Sequence, residues 1–218
     1  SGPASISGGS NLTFTGAGTV SIVASQAGDA GWNPAPNVTN SFTVTKAAAT
    51  VMLAGLQQTY DGTPRSATAT TAPGGLAVAF TYDGAAVAPT AAGSYAVTGA
   101  VNDARYAGSA AGTLVVAKAA AAVTLENLLQ AYDGTPRAAT ATTVPPGLAV
   151  DITYDGSPAA PTAVGSYAVT GTVNDANYTG AVAGTLNITN ALTPFEQWLV
   201  SRSLDPQDAR YAPGADDD

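Results

Sequence analysis

The 218-residue chain contains no cysteine and no histidine. Without cysteine there is no disulfide framework, which a small secreted eukaryotic module would ordinarily carry; a bacterial surface protein or a cytosolic one fits better. The missing histidine removes the commonest general base and the commonest metal ligand. Charge is also scarce. Only 10% of residues are Asp, Glu, Lys or Arg, and only seven are basic, for a net charge of −8 and a pI near 4.1. No basic groove can follow a phosphate backbone, so nucleic acid is not a partner. The only glutamates are Glu126 and Glu196, in unrelated contexts, so no glycosidase-like carboxylate pair arises. Neither a Gly-rich phosphate loop nor a base beside a nucleophile is visible, and an enzyme is not expected. These residues carry no signal-peptide pattern, and no apolar run among them approaches the roughly 20 residues of a membrane span.

What the chain does contain is Gly (24), Pro (14) and an abundance of Ala, Thr and Val. That mixture suits short strands and tight turns. One stretch organises it: Gly93-Ser-Tyr-Ala-Val-Thr-Gly-Ala-Val-Asn-Asp-Ala-Arg-Tyr106, which returns as Gly165-Ser-Tyr-Ala-Val-Thr-Gly-Thr-Val-Asn-Asp-Ala-Asn-Tyr178. The period-2 pattern predicts a strand with Tyr95, Val97, Gly99 and Val101 on one face. An Asx turn and an aromatic anchor follow.

Residues 47–118 and 119–190 are two copies, identical at about two-thirds of aligned positions. Each predicts a first strand (Val51, Leu53; Val123, Leu125) and a Tyr-Asp-Gly-Thr-Pro turn (Tyr60–Pro64; Tyr132–Pro136). A Thr/Ala strand, a third strand (Val78, Phe80, Tyr82; Val150, Ile152, Tyr154) and a second Asp-Gly turn follow. The organising strand and a last strand (Leu114, Val116; Leu186, Ile188) complete the copy. Asp151 replaces Ala79 and Asn187 replaces Val115, both between inward positions. Polarity tolerated on one face and refused on the other marks half-buried strands.

Residues 1–46 match only the second half of a copy: Gly18 falls on Gly93, Trp32 on Tyr106, Phe42 on Leu114 and Lys46 on Lys118. Ser1 opens inside a pattern, so the chain reads as part of something longer. Ala-rich joints after Lys46 and Lys118 lack flexible linker sequence and predict semi-rigid connections. Residues 191–218 change character, with a capping box at Thr193-Pro-Phe-Glu196, a short helix over about 194–202 expected to dock Trp198, and an acidic tail. The fold class is all-β: tandem small Ig-like antiparallel sandwich modules, with a β-grasp-like sheet as the fallback, and one short C-terminal helix.

Tyr-Asp-Gly-Thr-Pro, the mid-repeat Tyr-Asp-Gly, Ala-Gly-Ser-Tyr-Ala-Val and Val-Asn-Asp-Ala-Asn-Tyr resemble the MBG/YDG-type repeats of large bacterial surface proteins and adhesins, over about 47–190. Residues 1–46 resemble the end of a bacterial Ig-like repeat. The 193–208 region is similar to segments that precede Asp-rich, calcium-binding stretches. The resemblance implies an extracellular, multi-repeat adhesion or wall protein at the bacterial cell surface, with no catalytic residues.

Candidate sites are few. Asp103 and Asp175, with Asp61, Asp83, Asp133 and Asp155, are calcium candidates at loop ends, but they occur singly, and turn formation by Asx side chains is the preferred reading. Asp216 and Asp218 would begin an Asp-rich loop whose later ligands are not present. No cofactor other than calcium is suggested. Trp32, Tyr106 and Tyr178 are the aromatic ligand candidates; packing is preferred for Trp32, and corner anchoring for the tyrosines. Lys46 and Lys118 are weighed as isopeptide donors and set aside, because such a bond needs a buried lysine. Three roles follow: a stalk repeat contacting neighbouring modules of its own parent chain, a fibre subunit self-associating through 1–46 by strand complementation, or a module binding a surface glycan or protein.

Overall fold

The computed structural model describes residues 1–190 together with 195, 198, 199 and 202. Two compact units divide the chain after Lys118.

The first unit begins with two hairpins, β1 (Ala4–Ser7) with β2 (Asn11–Phe14), and β3 (Gly18–Gln26) with β4 (Ala35–Val44). The repeat follows as β5 (Ala47–Ala48), β6 (Thr50–Ala54), β7 (Gln57–Thr59), β8 (Thr68–Ala72), β9 (Val78–Tyr82), β10 (Gly93–Val101), β11 (Tyr106–Ala107) and β12 (Ser109–Ala117). The second unit repeats this order as β13 (Ala119–Ala120), β14 (Ala122–Glu126), β15 (Leu129–Ala131), β16 (Thr140–Val144), β17 (Val150–Tyr154), β18 (Gly165–Val173), β19 (Tyr178–Thr179) and β20 (Ala181–Thr189). The all-β expectation holds, and the predicted strands fall where the alternation placed them.

Each repeat is a thin two-layer sandwich. One layer is the four-stranded sheet β7-β12-β10-β9, or β15-β20-β18-β17; the other is the hairpin pair β6-β8, or β14-β16. The layers meet at a leucine. Leu53 lies over Gly99 and Gly112, where an added Cβ would come within 2.9 Å and 3.2 Å of its methyl carbons. Glycine at two inward positions is thus the seat of one large side chain. Around it pack Val97, Leu114, Val116 and Tyr82, joined by Leu56, Phe80 and Tyr95. The second repeat builds the same core from Val169, Leu186, Ile188 and Tyr154.

The ladders are mostly antiparallel, with two short parallel additions that the sequence analysis did not locate. β7 runs parallel to β12, and β5 pairs parallel with β11. These pieces are two or three residues long, too short to carry a period, which is why alternation misses them.

Tyr82 and Tyr154 are core residues whose hydroxyls find partners inside the fold. Each accepts a hydrogen bond from a buried backbone N–H, Ala67 N at 2.9 Å and Ala139 N at 2.8 Å. Tyr82→Phe removes the acceptor and strands that N–H, at a cost of about 1–3 kcal/mol. Chemical denaturation should show this loss; a change below about 0.5 kcal/mol, smaller than an ordinary net hydrogen bond, would mean another group satisfies the amide.

At the C-terminus, Phe195, Trp198 and Leu199 have helical backbone, while the rest of the predicted 194–202 helix and the acidic tail lie outside the described residues. Leu199 is buried; Trp198, the expected docking residue, is instead half-exposed, stacked on Phe195 at 6.1 Å with Arg202 over its ring.

Candidate functional site

The recurring Asp residues close turns. In Tyr60-Asp-Gly-Thr-Pro-Arg65, Asp61 Oδ1 accepts from Thr63 N (2.9 Å) and Thr63 Oγ1 (2.6 Å). Its Oδ2 pairs with Arg65 Nη2 at 2.6 Å, and that nitrogen also donates to Thr59 O. Asp133, Thr135 and Arg137 repeat the arrangement, except that Arg137 donates to the backbone, at Ala131 O, from Nε. Asp83 and Asp155 adopt positive φ beside Gly84 and Gly156, a two-residue hairpin turn with both central residues left-handed, and their Oδ1 atoms accept from Ala96 N and Ala168 N.

The two leading calcium candidates do the same work. Asp103 Oδ1 accepts from Arg105 N (2.7 Å) and Tyr106 N (3.0 Å); Asp175 Oδ1 accepts from Asn177 N and Tyr178 N. Among the described residues no three His, Cys, Asp or Glu side chains cluster as a metal site. Asp216 and Asp218 lie outside the described residues.

These bonds hold three carboxyls below the ordinary carboxylate range. For Asp61 and Asp133 the main cause is the threonine hydroxyl donating to the carboxylate, and for Asp103 it is the Arg105 backbone N–H. A carboxyl with a depressed folded pKa contributes stability above its unfolded pKa, about 4, and loses it as pH falls through the lower folded value. Stability should therefore hold from neutrality to about pH 5 and decline below about pH 4. Replacing Asp61, Asp103 and Asp133 together by Asn, which keeps an acceptor oxygen but no titrating group, should make that acid limb shallower in denaturation midpoints. An unchanged limb would assign acid sensitivity elsewhere.

Tyr106 and Tyr178 are half-buried corner residues, as expected. The Asx turn delivers them into β11 and β19, where Tyr106 pairs with Ala47 and Tyr178 with Ala119. Lys46 is exposed and donates from Nζ to the Asp103 carbonyl at 2.6 Å, a surface tie to the same corner. Trp32 departs from expectation. It is 76% exposed, at the end of a two-residue hairpin loop held by Asp29, whose Oδ1 accepts from Gly31 N. Its counterparts Tyr106 and Tyr178 rest against a joint strand; Trp32 has no such strand beside it among the described residues.

Sequence reasoning missed Gln58 and Gln130. Gln58 Nε2 brackets two loops by donating to Gly55 O (2.7 Å) and Ser66 O (2.9 Å), and Gln130 does the same with Asn127 O and Ala138 O. The available signal was that Gln58 is kept as Gln130 while its neighbour Gln57 becomes Leu129. A cavity of ≈ 190 Å³ lies in the first unit against Phe14, Val44, Ala47 and Arg105, smaller than the ~300 Å³ at which ligand sites ordinarily begin.

Fold and side chains together define a tandem-repeat β-sandwich protein whose recurring polar groups serve its own turns. The profile of the MBG domain matches residues 49–120 and again 121–192, more than half of the chain, and the chain belongs to this family. The matched spans keep the repeat period and start two residues later than the copies read from the sequence. A comparison with curated proteins finds no match. MBG repeats are structural, adhesion-type modules typical of surface proteins. Among the described residues no helix is long and apolar enough to cross a membrane.

Proposed function

We propose that the chain is a non-catalytic stalk segment of a bacterial extracellular surface or adhesion protein, in which the MBG repeats act as load-bearing spacers. The observation that carries this reading is the destination of the recurring functional groups. In both copies the Asp carboxylates, the Arg Nη2 group, the Gln amide and the core Tyr hydroxyl are spent on backbone and side-chain partners inside the repeat. Such tying costs binding capacity and favours resistance to unfolding. Pulling the whole chain by its ends should give two unfolding steps of equal contour length, each about 25 nm for 72 residues at ~3.5 Å per extended residue. Smooth extension without repeat-sized steps would defeat the load-bearing reading. On the cells that make the protein, antibody against the repeats should label the intact surface.

A second reading rests on Trp32, whose exposed ring suits stacking against a sugar face. Saturable glycan binding that shifts Trp fluorescence and disappears in Trp32→Ala would establish it; binding unaffected by that substitution would remove it.

A further inference from the structure

The Asx corner of the first repeat turns its acceptors outward. Asp103 Oδ1 takes up the N–H groups of Arg105 and Tyr106, so these donors are satisfied from within and the carbonyls are what the corner offers to others. Four carbonyls of this stretch accept from residues that precede the repeat core. Asp103 O accepts from Lys46 Nζ (2.6 Å), Ala104 O from Ala17 N (3.2 Å), Arg105 O from Ala47 N (2.7 Å) and Ala107 O from Ala49 N (2.8 Å).

These donors are of two kinds. Ala47 and Ala49 belong to the joint itself, where β5 pairs with β11. Ala17 lies in the turn between β2 and β3, so its bond ties the N-terminal hairpins to the repeat. Gly16 lies against the same corner residue: a Cβ added there would stand 3.7 Å from Ala104 O, an ordinary contact. Lys46 follows β4 directly, and its charge also acts on the Asp103 carboxylate. Packing between corner and hairpins is not close, since the ≈ 190 Å³ cavity beside Phe14, Val44 and Arg105 lies there. Directional hydrogen bonds, more than apolar area, therefore fix the contact.

The sequence carries an independent sign of the same device. A lysine stands immediately before the joint strand of each repeat, Lys46 before β5 and Lys118 before β13. The equivalent place after the second repeat holds Asn190, and the matched repeats end at residue 192. Lysine is present where an Asn-Asp corner follows.

We propose that the Asp103–Ala107 corner is a socket that seats the preceding module, residues 1–46, in one orientation, and that Lys46 is its key. The partner it accepts is a module of the same chain that offers a free N–H from a Gly-Ala turn and a lysine at the exit of its last strand. The seating is independent of the stalk reading, because it concerns how one module meets the next and not what the chain is for.

The lack of cysteine makes the orientation measurable. Cysteines introduced at the exposed positions Thr39 in β4 and Thr113 in β12 would carry the only two spin labels, and dipolar spectroscopy would read the distance between them. The chain with Lys46 in place should give one narrow distance distribution, and Lys46→Met should broaden it. In Lys46→Met the Ala17 N–H should also exchange about fivefold faster, the shift that one ordinary net hydrogen bond supplies, while the amides of β10 and β12 stay protected. Asp103→Ala, which removes the acceptor for Arg105 N and Tyr106 N, should broaden the distribution in the same way. Lys46 is exposed and outside both cores, so the test stands on Lys46→Met if Asp103→Ala unfolds the repeat. A distribution already broad with Lys46 in place, or one that Lys46→Met leaves unchanged, would overturn the proposal.

Discussion

Leu186→Ala is expected to destabilise the second repeat by about 3–5 kcal/mol. Leu186 is 0% exposed and packs with Val169, Ile188, Tyr154 and Ala139. Deleting its three carbons loses their transfer energy and leaves a cavity whose walls cannot close, because the strands on either side are locked in register by Tyr167↔Leu186 and Val169↔Gly184 pairing. The consequence is large for a module this thin. A small domain has a total stability of roughly 5–15 kcal/mol, and a 72-residue sandwich belongs at the low end. Amide exchange located by mass spectrometry is the suitable measurement, because it reports residues 119–190 by themselves. Protection in β18 and β20 should collapse. A loss under about 1 kcal/mol would mean that the core is looser than its burial implies.

Gly180→Ala should be comparably damaging for a different reason. The new Cβ would be driven into the carbonyl oxygen of Ala121, a backbone atom with no rotamer to escape through. Ala121 N is bonded to Thr179 O, and Ala119 pairs with Tyr178, so the joint strand lies flush on this glycine. The clash can be relieved only by lifting the joint away from the Tyr178 corner and sacrificing both contacts. Overpacking against a fixed partner costs at the upper end of the usual range, about 3 kcal/mol. The matched control is Gly165→Ala, where the added carbon meets only Tyr167 side-chain atoms at 3.4 Å, an ordinary contact. If the two variants melt alike, the joint strand is not clamped as the structure has it. Gly108→Ala against Ala49 is the same experiment in the first repeat.

Much of this was legible in the sequence because a repeated strand declares its own register. Alternation at Tyr95, Val97, Gly99 and Val101 can be satisfied by only one pairing face, and the exchange of Ala79 for Asp151 shows which face meets water. The Asp-Gly and Asn-Asp turns were legible for the same reason, since the chemistry is local: an Asx oxygen reaches N–H groups two or three residues on.

What stayed hidden depends on residues distant in sequence. The parallel partners β5 and β7 are too short to show a period. The seat that Gly99 and Gly112 form beneath Leu53 is invisible until the two layers are stacked. Trp32 illustrates the limit. It aligns with Tyr106 in the sequence, and Asp29 closes a turn as Asp103 does, yet its exposure is set by whether a joint strand lies beside it. The sequence by itself determined the repeat, the strand alternation, the turns and the all-β class, because each follows from interactions among near neighbours. Only the tertiary structure decided which glycines receive a side chain, where the Gln58 and Tyr82 polar atoms find partners, and which aromatic remains uncovered, because burial is a property of what packs across from a residue.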